Sequence, residues 1–275
     1  LSVLIGIAVD KEHIKSIDQK VLDFFPNYRV QAGEQTIQSI TINDMLTMTA
    51  PYKFEAEPYQ AFFSNDDWVK AALDLLGGEG SVGQFRYTAL VGPDILSGIL
   101  TNATGQSVLD FAAKNLFLPL GIEVPRAVVL LSEEEHIALS MKDKHDASGW
   151  VVDSLGVNTA GWGLTMKLVD MAKIGQLYLD GGKWNGQQIV SVTWVDESTI
   201  EHSRWAEWSL SYGYLWLVMD KDEPAYAAMG DGGNVIYVNA KKQLVVAIAC
   251  LFMPEAKNRI ELIRKCIEPI FEACE

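Results

Sequence analysis

The sequence predicts an α+β fold in which a long helical region is followed by an antiparallel sheet and a closing helix. Up to about residue 204, apolar residues recur at helical spacing between capping residues and prolines. After residue 205, β-branched and aromatic runs alternate with short polar turns, which favours consecutive antiparallel strands. We therefore expect a mostly helical subdomain at 1–204 and a sheet with its C-terminal helix at 205–275, the two forming one intertwined unit.

The helical elements are defined by their apolar faces and by their capping residues. Thr41, Ser107, Thr165 and Ser191 are N-cap candidates, and Pro93 suits a first helical turn. Helices are predicted at 2–11, 21–25, 41–46, 68–76, 94–102 and 107–117, with two more beginning after Thr165 and Ser191. The helix after Thr165 should bury Leu168, Met171, Ala172 and Gly175. The stretch 51–64 reads as irregular.

Three strands are predicted in the last third of the chain, at 213–219, 235–239 and 244–251. The helix that follows should cover them with Ile260, Ile263, Ile267, Ile270 and Phe271. Three strands make a small sheet for 275 residues, and Leu1 reads as a position inside a buried helix. We therefore expect a segment with further strands to precede Leu1.

Composition and charge exclude several classes of protein. The 275 residues are 49% hydrophobic and carry a net charge of −14, which disfavours binding to phosphate backbones and hence to nucleic acid. The longest apolar run, 244–253, is half of the roughly 20 residues that a membrane span needs. No signal-peptide pattern is visible, which makes the cytoplasm the default location.

The sequence also lacks the spacing patterns that are typical of metal sites and of common catalytic motifs. It contains no GxSxG, Ser-x-x-Lys or HExxH string, and Gly230–Gly233 precedes a predicted strand rather than the helix that a phosphate cradle needs. The cysteines form no CxxC pair and the histidines are scattered, so we predict neither a metal site nor a cofactor. These residues are Cys250, Cys266, Cys274, His13, His136, His145 and His202.

Five segments, in order, resemble class C β-lactamase-like and penicillin-binding-protein-like serine hydrolases. The segments are 39–49 (SITINDMLTMT), 85–88 (FRYT), 94–107 (DILSGILTNATGQS), 161–179 (GWGLTMKLVDMAKIGQLYL) and 230–238 (GDGGNVIYV). The resemblance implies a β-lactamase/DD-peptidase-like fold with a cleft between the sheet and the helical subdomain. It also implies acyl transfer through a serine ester, with the serine and its lysine in Ser-x-x-Lys and a tyrosine in Tyr-x-Asn.

By this resemblance Tyr87 is the catalytic tyrosine, and Gly230, Asp231, Gly232 and Gly233 line the cleft, with Trp162 as a further wall. Each residue also has an ordinary interpretation. Tyr87 could anchor the start of a helix, the glycines could be turn residues, and Asp231 could be a solvated turn acid. The aromatic residues Trp205, Trp208, Tyr212, Tyr214 and Trp216 are predicted to be mostly packing residues, of which one or two could wall the cleft.

The sequence departs from the family pattern at three places. Residues 1–8 (LSVLIGIA) resemble the continuation of the Ser-x-x-Lys helix, which puts the nucleophile and its lysine before Leu1. Ala89 stands where the family usually has asparagine, and Asp231 lies where Lys-Thr-Gly or His-x-Gly supplies a cation. These departures weigh against β-lactam or D-alanyl peptide substrates more than against acyl transfer itself.

We therefore expect a serine hydrolase that cleaves a small ester, amide or peptide-like molecule and that is inactive as the 275-residue chain. The alternative is a non-catalytic member of the family that serves as a ligand-binding or structural module. Ala89 and Asp231 favour this alternative. An in-frame Ser-x-x-Lys upstream of Leu1 distinguishes the two hypotheses, since only the enzyme requires it.

Overall fold

A computed structural model describes residues 1–130, 135, 149–220, 224–230, 233–250 and 258–272. It confirms the α+β class, since helices dominate the first two thirds and an antiparallel sheet follows. No described helix is long and apolar enough to cross a membrane.

The helices of the described chain are mostly short. They are α1 (Ser2–Asp10), α2 (Ile42–Leu46), α3 (Tyr59–Phe63), α4 (Trp68–Leu75), α5 (Val91–Thr104), α6 (Val108–Ala112), α7 (Leu168–Leu179), α8 (Val192–Ser198), α9 (Arg259–Leu262) and α10 (Glu268–Glu272). Single 3-10 turns lie at Val21–Phe24, Thr36–Gln38 and Ala206–Trp208, and π turns at Ala113–Phe117 and Ile263–Ile267.

Three of the four predicted N-caps are confirmed, because each side chain accepts a hydrogen bond from the third backbone N–H of its helix. These are Thr41, Ser107 and Ser191. The prediction for Thr165 was wrong: α7 begins after Lys167, which makes no side-chain cap. Leu168 is 49% exposed, so its assignment to the buried face of α7 was also wrong, whereas Asp170, Gly175, Leu177 and Tyr178 are buried.

The main sheet has six antiparallel strands, in the spatial order β10-β9-β8-β7-β6-β5, so each strand pairs with its neighbour in sequence. The strands are β5 (Ser203–Trp205), β6 (Leu210–Tyr212), β7 (Leu217–Asp220), β8 (Ala225–Gly230), β9 (Asn234–Asn239) and β10 (Leu244–Ile248). Only three of these strands, β7, β9 and β10, are predicted from the sequence, while β5, β6 and β8 are not. Strands β5 and β6 are only three residues long, and β8 (AYAAMG) contains no β-branched residue.

Two smaller strand pairs were also missed. β1 (Arg126–Val129) pairs in parallel with β2 (Gly149–Val152), and β3 (Lys183–Trp184) forms a short hairpin with β4 (Gln187–Gln188). Elements this short carry little periodicity, so their pattern does not distinguish them from loops.

The main core lies between α1, α5 and the sheet. Helix α1 is buried from Ser2 to Ala8, as its apolar sequence predicts. Its Gly6 lies against the ring of Trp194 in α8, so a side chain there would collide with the indole. Gly175 of α7 similarly packs on Val245 of β10, which lets the helix lie close to the sheet.

The C-terminal helical segment covers the other side of the sheet with fewer residues than predicted. Ile263 is fully buried against β8 and β9, and Ile260 and Ile267 pack beside it. Ile270 and Phe271 are 63% and 56% exposed, so their assignment to the buried face was wrong. The π turn at Ile263–Ile267 changes the helical phase just before these residues, which turns them away from the sheet.

Candidate active site

Tyr87 lies on a short segment that leads into α5 and is fixed on both sides. The Arg86 N–H donates to the carbonyl of Met48 (2.6 Å). Thr88 is buried, and its hydroxyl accepts from the Gly92 N–H in the first turn of α5 (3.1 Å). Between these anchors the Tyr87 side chain is 44% exposed, so its phenol reaches the surface from a rigid backbone.

The Glu57 carboxylate occupies the N-terminus of α5. It accepts backbone N–H groups from Ala89 (2.7 Å), Leu90 (3.0 Å) and Val91 (2.9 Å). A carboxylate is favoured there because a helix N-terminus has unpaired donors and a positive dipole end. Glu57 therefore positions the residues directly after Tyr87. Sequence analysis missed it, because it comes from the irregular stretch 51–64 with no local signal of the contact.

Trp162 adjoins the same segment through its neighbour Gly161. A Cβ atom at Gly161 would collide with the carbonyl oxygen of Ala89, so only glycine permits this close approach. The Trp162 ring packs edge-on against Phe63 of α3 (5.1 Å between centroids) and lies 6.2 Å from Trp68 of α4. The structure thus brings the Trp162 and Tyr87 segments together, with Trp162 partly buried.

Asp94 holds the loop that carries Gly161 and Trp162. Its Oδ1 atom accepts from the Thr159 hydroxyl (2.9 Å) and from the Ala160 N–H (2.7 Å). The side chain is only 1% exposed, and burial raises its pKa to about 7. Sequence analysis named Asp94 only as the start of a helix, since a contact across some 65 residues leaves no pattern in the sequence.

Four aromatic side chains cluster at the Tyr87 segment and are called the aromatic platform below. They are Phe85, Tyr87, Trp205 and Trp208. Tyr87 stacks on Trp205, with centroids 4.9 Å apart and planes at 14°. Trp208 stands edge-to-face to Trp205 (6.0 Å, 65°), and Phe85 lies 5.5 Å from Trp205. Trp208 is 63% exposed, so it belongs to the surface and not to the core.

Buried Tyr212 underlies the platform, with its ring edge-on to Phe85 at 5.5 Å. Burial, and to a smaller extent the neighbouring Tyr87 phenol, raises the pKa of Tyr212 well above its ordinary value. Tyr212 therefore stays neutral at the pH of any ordinary assay and serves as an apolar floor.

The predicted glycine site lies elsewhere on the sheet. Gly230 ends β8 opposite Asn234 of β9, and Gly233 adopts a φ of +88°. The Arg259 side chain of α9 fills the place where a Gly233 side chain would be. Asp231 and Gly232 lie outside the described residues.

Two strands, β6 and β7, separate β8 from β5, which carries Trp205. The described contacts therefore stack Tyr87 on Trp205 and bring its segment against that of Trp162 through Ala89 and Gly161, while Gly230 and Gly233 contact β9 and α9. Within the described ranges, no group of three or more His, Cys, Asp or Glu side chains is arranged to hold a metal ion.

The fold recurs in solved structures of low sequence identity. A provisionally assigned 6-aminohexanoate-dimer hydrolase from Bacillus anthracis superposes with a TM-score of 0.73 at 16% identity, covering 99% of this chain and 71% of its own. A family VIII carboxylesterase gives 0.64 at 18%, covering 94% and 75%. A penicillin-binding-protein homologue from Caulobacter crescentus gives 0.66 at 17%, covering 93% and 76%.

A relative by sequence is the 6-aminohexanoate-dimer hydrolase of Paenarthrobacter ureafaciens. It is 22% identical over 213 residues, which are 73% of this chain and 48% of the relative. The chain thus spans about half the length of this curated relative. The Beta-lactamase family model matches residues 1–265, which is nearly the whole sequence. This chain is therefore a member of the β-lactamase family.

Proposed function

We propose that the chain belongs to a serine hydrolase that cleaves a small ester or amide through an acyl-serine intermediate. The nucleophile and its lysine base come from a Ser-x-x-Lys segment that residues 1–275 do not contain. The relatives named for amide and ester hydrolysis support this reaction class. The observation that carries the proposal is the half-exposed Tyr87 on a backbone held by Met48, Thr88 and Glu57.

In this mechanism the Tyr87 phenol takes part, together with the lysine, in the proton transfers to and from the reacting groups. A serine hydroxyl is a poor nucleophile until a base removes its proton, and the leaving alcohol or amine needs a proton in return. A tyrosine within reach of the serine oxygen and of the leaving oxygen or nitrogen relays that proton, so that the bond from the carbonyl carbon to the leaving group breaks as the acyl-serine forms. Backbone N–H groups stabilise the oxyanion that forms when the serine attacks the carbonyl carbon. Water then hydrolyses the acyl-serine and releases the acid.

The test compares two lengths of the protein. The 275-residue chain should not hydrolyse p-nitrophenyl acetate above a denatured control. A protein extended upstream to include Ser-x-x-Lys should hydrolyse it, and replacing the added serine by alanine should abolish turnover. Turnover by the 275-residue chain would contradict the assignment of the nucleophile.

In the extended protein, Tyr87→Phe should lower kcat about 100-fold or more while KM changes little, because proton transfer contributes about that much. Tyr28→Phe is the matched control. Tyr28 hydrogen-bonds to Asp74 of α4, outside the candidate site, and its loss should leave kcat within about twofold. Equal activity of Tyr87→Phe and the parent protein would remove Tyr87 from the mechanism.

A second candidate function is ligand binding without catalysis. Ala89 favours it, because its methyl group cannot replace the hydrogen-bonding amide of the family's asparagine. An upstream coding region without an in-frame Ser-x-x-Lys would support this function over hydrolysis.

A further inference from the structure

We propose that the aromatic platform binds an aromatic ring carried by a neutral ester or amide, and so selects aryl substrates for the candidate site. This inference rests on the proposed function for its reaction, but the binding step can be measured separately. The platform thereby indicates a class of substrate, which membership of the family alone does not specify.

Two exposed aromatic side chains meet at the platform. Trp208 is 63% exposed and Tyr87 is 44% exposed, and both contact Trp205. Large apolar side chains that cluster at the surface mark binding surfaces, whereas single ones are common and need no function. Because Tyr87 is itself the proposed proton-transfer residue, a ring bound to this cluster lies beside the reacting atoms.

The backbone that carries Trp205 and Trp208 is held by hydrogen bonds on both sides of the turn. Trp205 ends β5 and Trp208 closes the 3-10 turn that leads into β6. Ser209 follows in the left-handed region (φ 52°), and its N–H donates to the carbonyl of Ala206 (3.2 Å). The Ser203 hydroxyl ties β5 to the carbonyl of Thr47 (2.6 Å). A rigid surface of this kind loses little conformational entropy on binding.

The charge around the platform disfavours an anionic ligand. Glu207 lies on the turn between the two tryptophans, and Arg204 is paired with Glu201 (3.4 Å). The whole chain carries a net charge of −14, which adds a long-range repulsion of anions that salt screens. Aromatic rings instead interact well with indole and phenol faces, through stacking and edge-to-face contacts worth about 0.5–1.5 kcal/mol beyond buried area.

The binding experiment uses the 275-residue chain and amides that differ only in the ring. Phenylacetamide, cyclohexylacetamide and 4-carboxyphenylacetamide are titrated while tryptophan fluorescence or ligand NMR signals are followed. Phenylacetamide should bind about three- to tenfold more tightly than cyclohexylacetamide, the ratio that corresponds to the aromatic contribution. The carboxylated ring should bind at least about threefold more weakly than phenylacetamide, since the surface is acidic.

Three variants assign the selectivity to the platform. Trp208→Leu keeps an apolar side chain and should remove the preference for phenyl over cyclohexyl, while Trp208→Phe should retain most of it. Leu118→Ala changes an apolar side chain of similar exposure (65%) outside the platform and should leave the preference unchanged. Circular dichroism should be the same for all three, because both substituted positions face solvent.

Hydrolysis by the extended protein separates this inference from the proposed function. Ethyl phenylacetate should have a lower KM than ethyl cyclohexylacetate, and Trp208→Leu should remove that difference. Leu118→Ala, outside the platform, should leave both kcat and the difference in KM unchanged. Equal KM values for the two esters, in the extended protein and in its Trp208→Leu variant, would contradict the aryl preference but not the proposed hydrolase function. Selective ring binding with no hydrolysis would overturn the hydrolase alone. Equal affinity of the parent protein for phenylacetamide and cyclohexylacetamide would contradict the proposal that the platform binds an aromatic ring.

Discussion

Asp94 and Glu268 are almost equally buried, at 1% and 4% exposure, but their surroundings differ. Glu268 is the first residue of α10, and its carboxylate accepts from Lys242 Nζ (2.7 Å), the Tyr237 hydroxyl (2.6 Å) and Asn239 Nδ2 (3.1 Å). Asp94, beside the candidate site, accepts from the neutral donors Thr159 and Ala160.

The pKa values follow the same division. Burial by itself would raise the pKa of Glu268, but the hydrogen bonds from Lys242, Tyr237 and Asn239 lower it below its ordinary value. Burial raises the pKa of Asp94 to about 7, because hydrogen bonds from neutral donors compensate the lost solvation only in part. The surroundings of Glu268 thus stabilise a charged acid, whereas those of Asp94 destabilise one.

Removal of the cation at Glu268 should have the largest effect. Lys242→Met leaves the carboxylate charged, buried and without its ion pair, and should lower the free energy of unfolding by about 4 kcal/mol at pH 7. Urea denaturation of the variant and of the parent protein measures this difference in the free energy of unfolding. The lowered pKa means that the stabilising effect of Glu268 exists above its unfolded pKa and is lost as pH falls through its folded value. The loss should therefore shrink toward pH 3.

A double variant is the control for this pair. Glu268→Gln retains acceptors and donors for Tyr237 and Asn239 without the charge, so Lys242→Met should cost much less in its presence. Additive losses in the double variant would show that the two side chains do not act as a pair.

Neutralising Asp94 should have the opposite sign. Asp94→Asn keeps the oxygen that accepts from Thr159 and Ala160, and removes the buried charge. Because the folded pKa lies above the unfolded one, ionisation destabilises the parent protein as pH rises from about 4 to about 7. Relative to the parent, the variant should gain about 4 kcal/mol of unfolding free energy between pH 4 and pH 8, since the pKa is raised by about three units and one unit corresponds to about 1.4 kcal/mol. A constant stability difference between variant and parent over this pH range would contradict the raised pKa.

The smallest effect is expected at Glu57, where the carboxylate is half-buried and bonded to backbone N–H groups. Glu57→Gln keeps one acceptor and loses the charge that suits the start of α5, so the unfolding free energy should fall by about 1 kcal/mol. Glu79→Gln, on the exposed loop before residue 80, is the control and should change it by less than about 0.5 kcal/mol. Equal effects would mean that the three N–H contacts contribute nothing measurable.

The sequence predicted the elements whose signals are local. Thr41, Ser107 and Ser191 each sit three residues before the N–H that they cap, so the pattern is visible in a four-residue window. Strand β8 could not be predicted because alanine has a low intrinsic preference for strands. Its alanines are buried only because Ile263, in the π turn after α9, packs against them.

The candidate site shows the same limit. Tyr87 and Trp162 could be named from their motifs, and the aromatic residues after 204 could be noted as a group. Glu57 and Asp94 could not, because their partners lie about 30 to 65 residues away in the chain. Neither contact has a spacing rule, since each depends on how α5 packs against the loops around it.

The occupied start of α5 also bears on how the proposed reaction ends. Hydrolysis of an ester or amide releases a carboxylate, which is the ligand that a helix N-terminus attracts. Here the Glu57 carboxylate is tethered to the same fold, so its effective concentration at the three N–H groups is in the millimolar range or above. A released acid must compete with this internal anion in a protein that is already strongly negative. Product inhibition through binding of the acid at the start of α5 should therefore be weak.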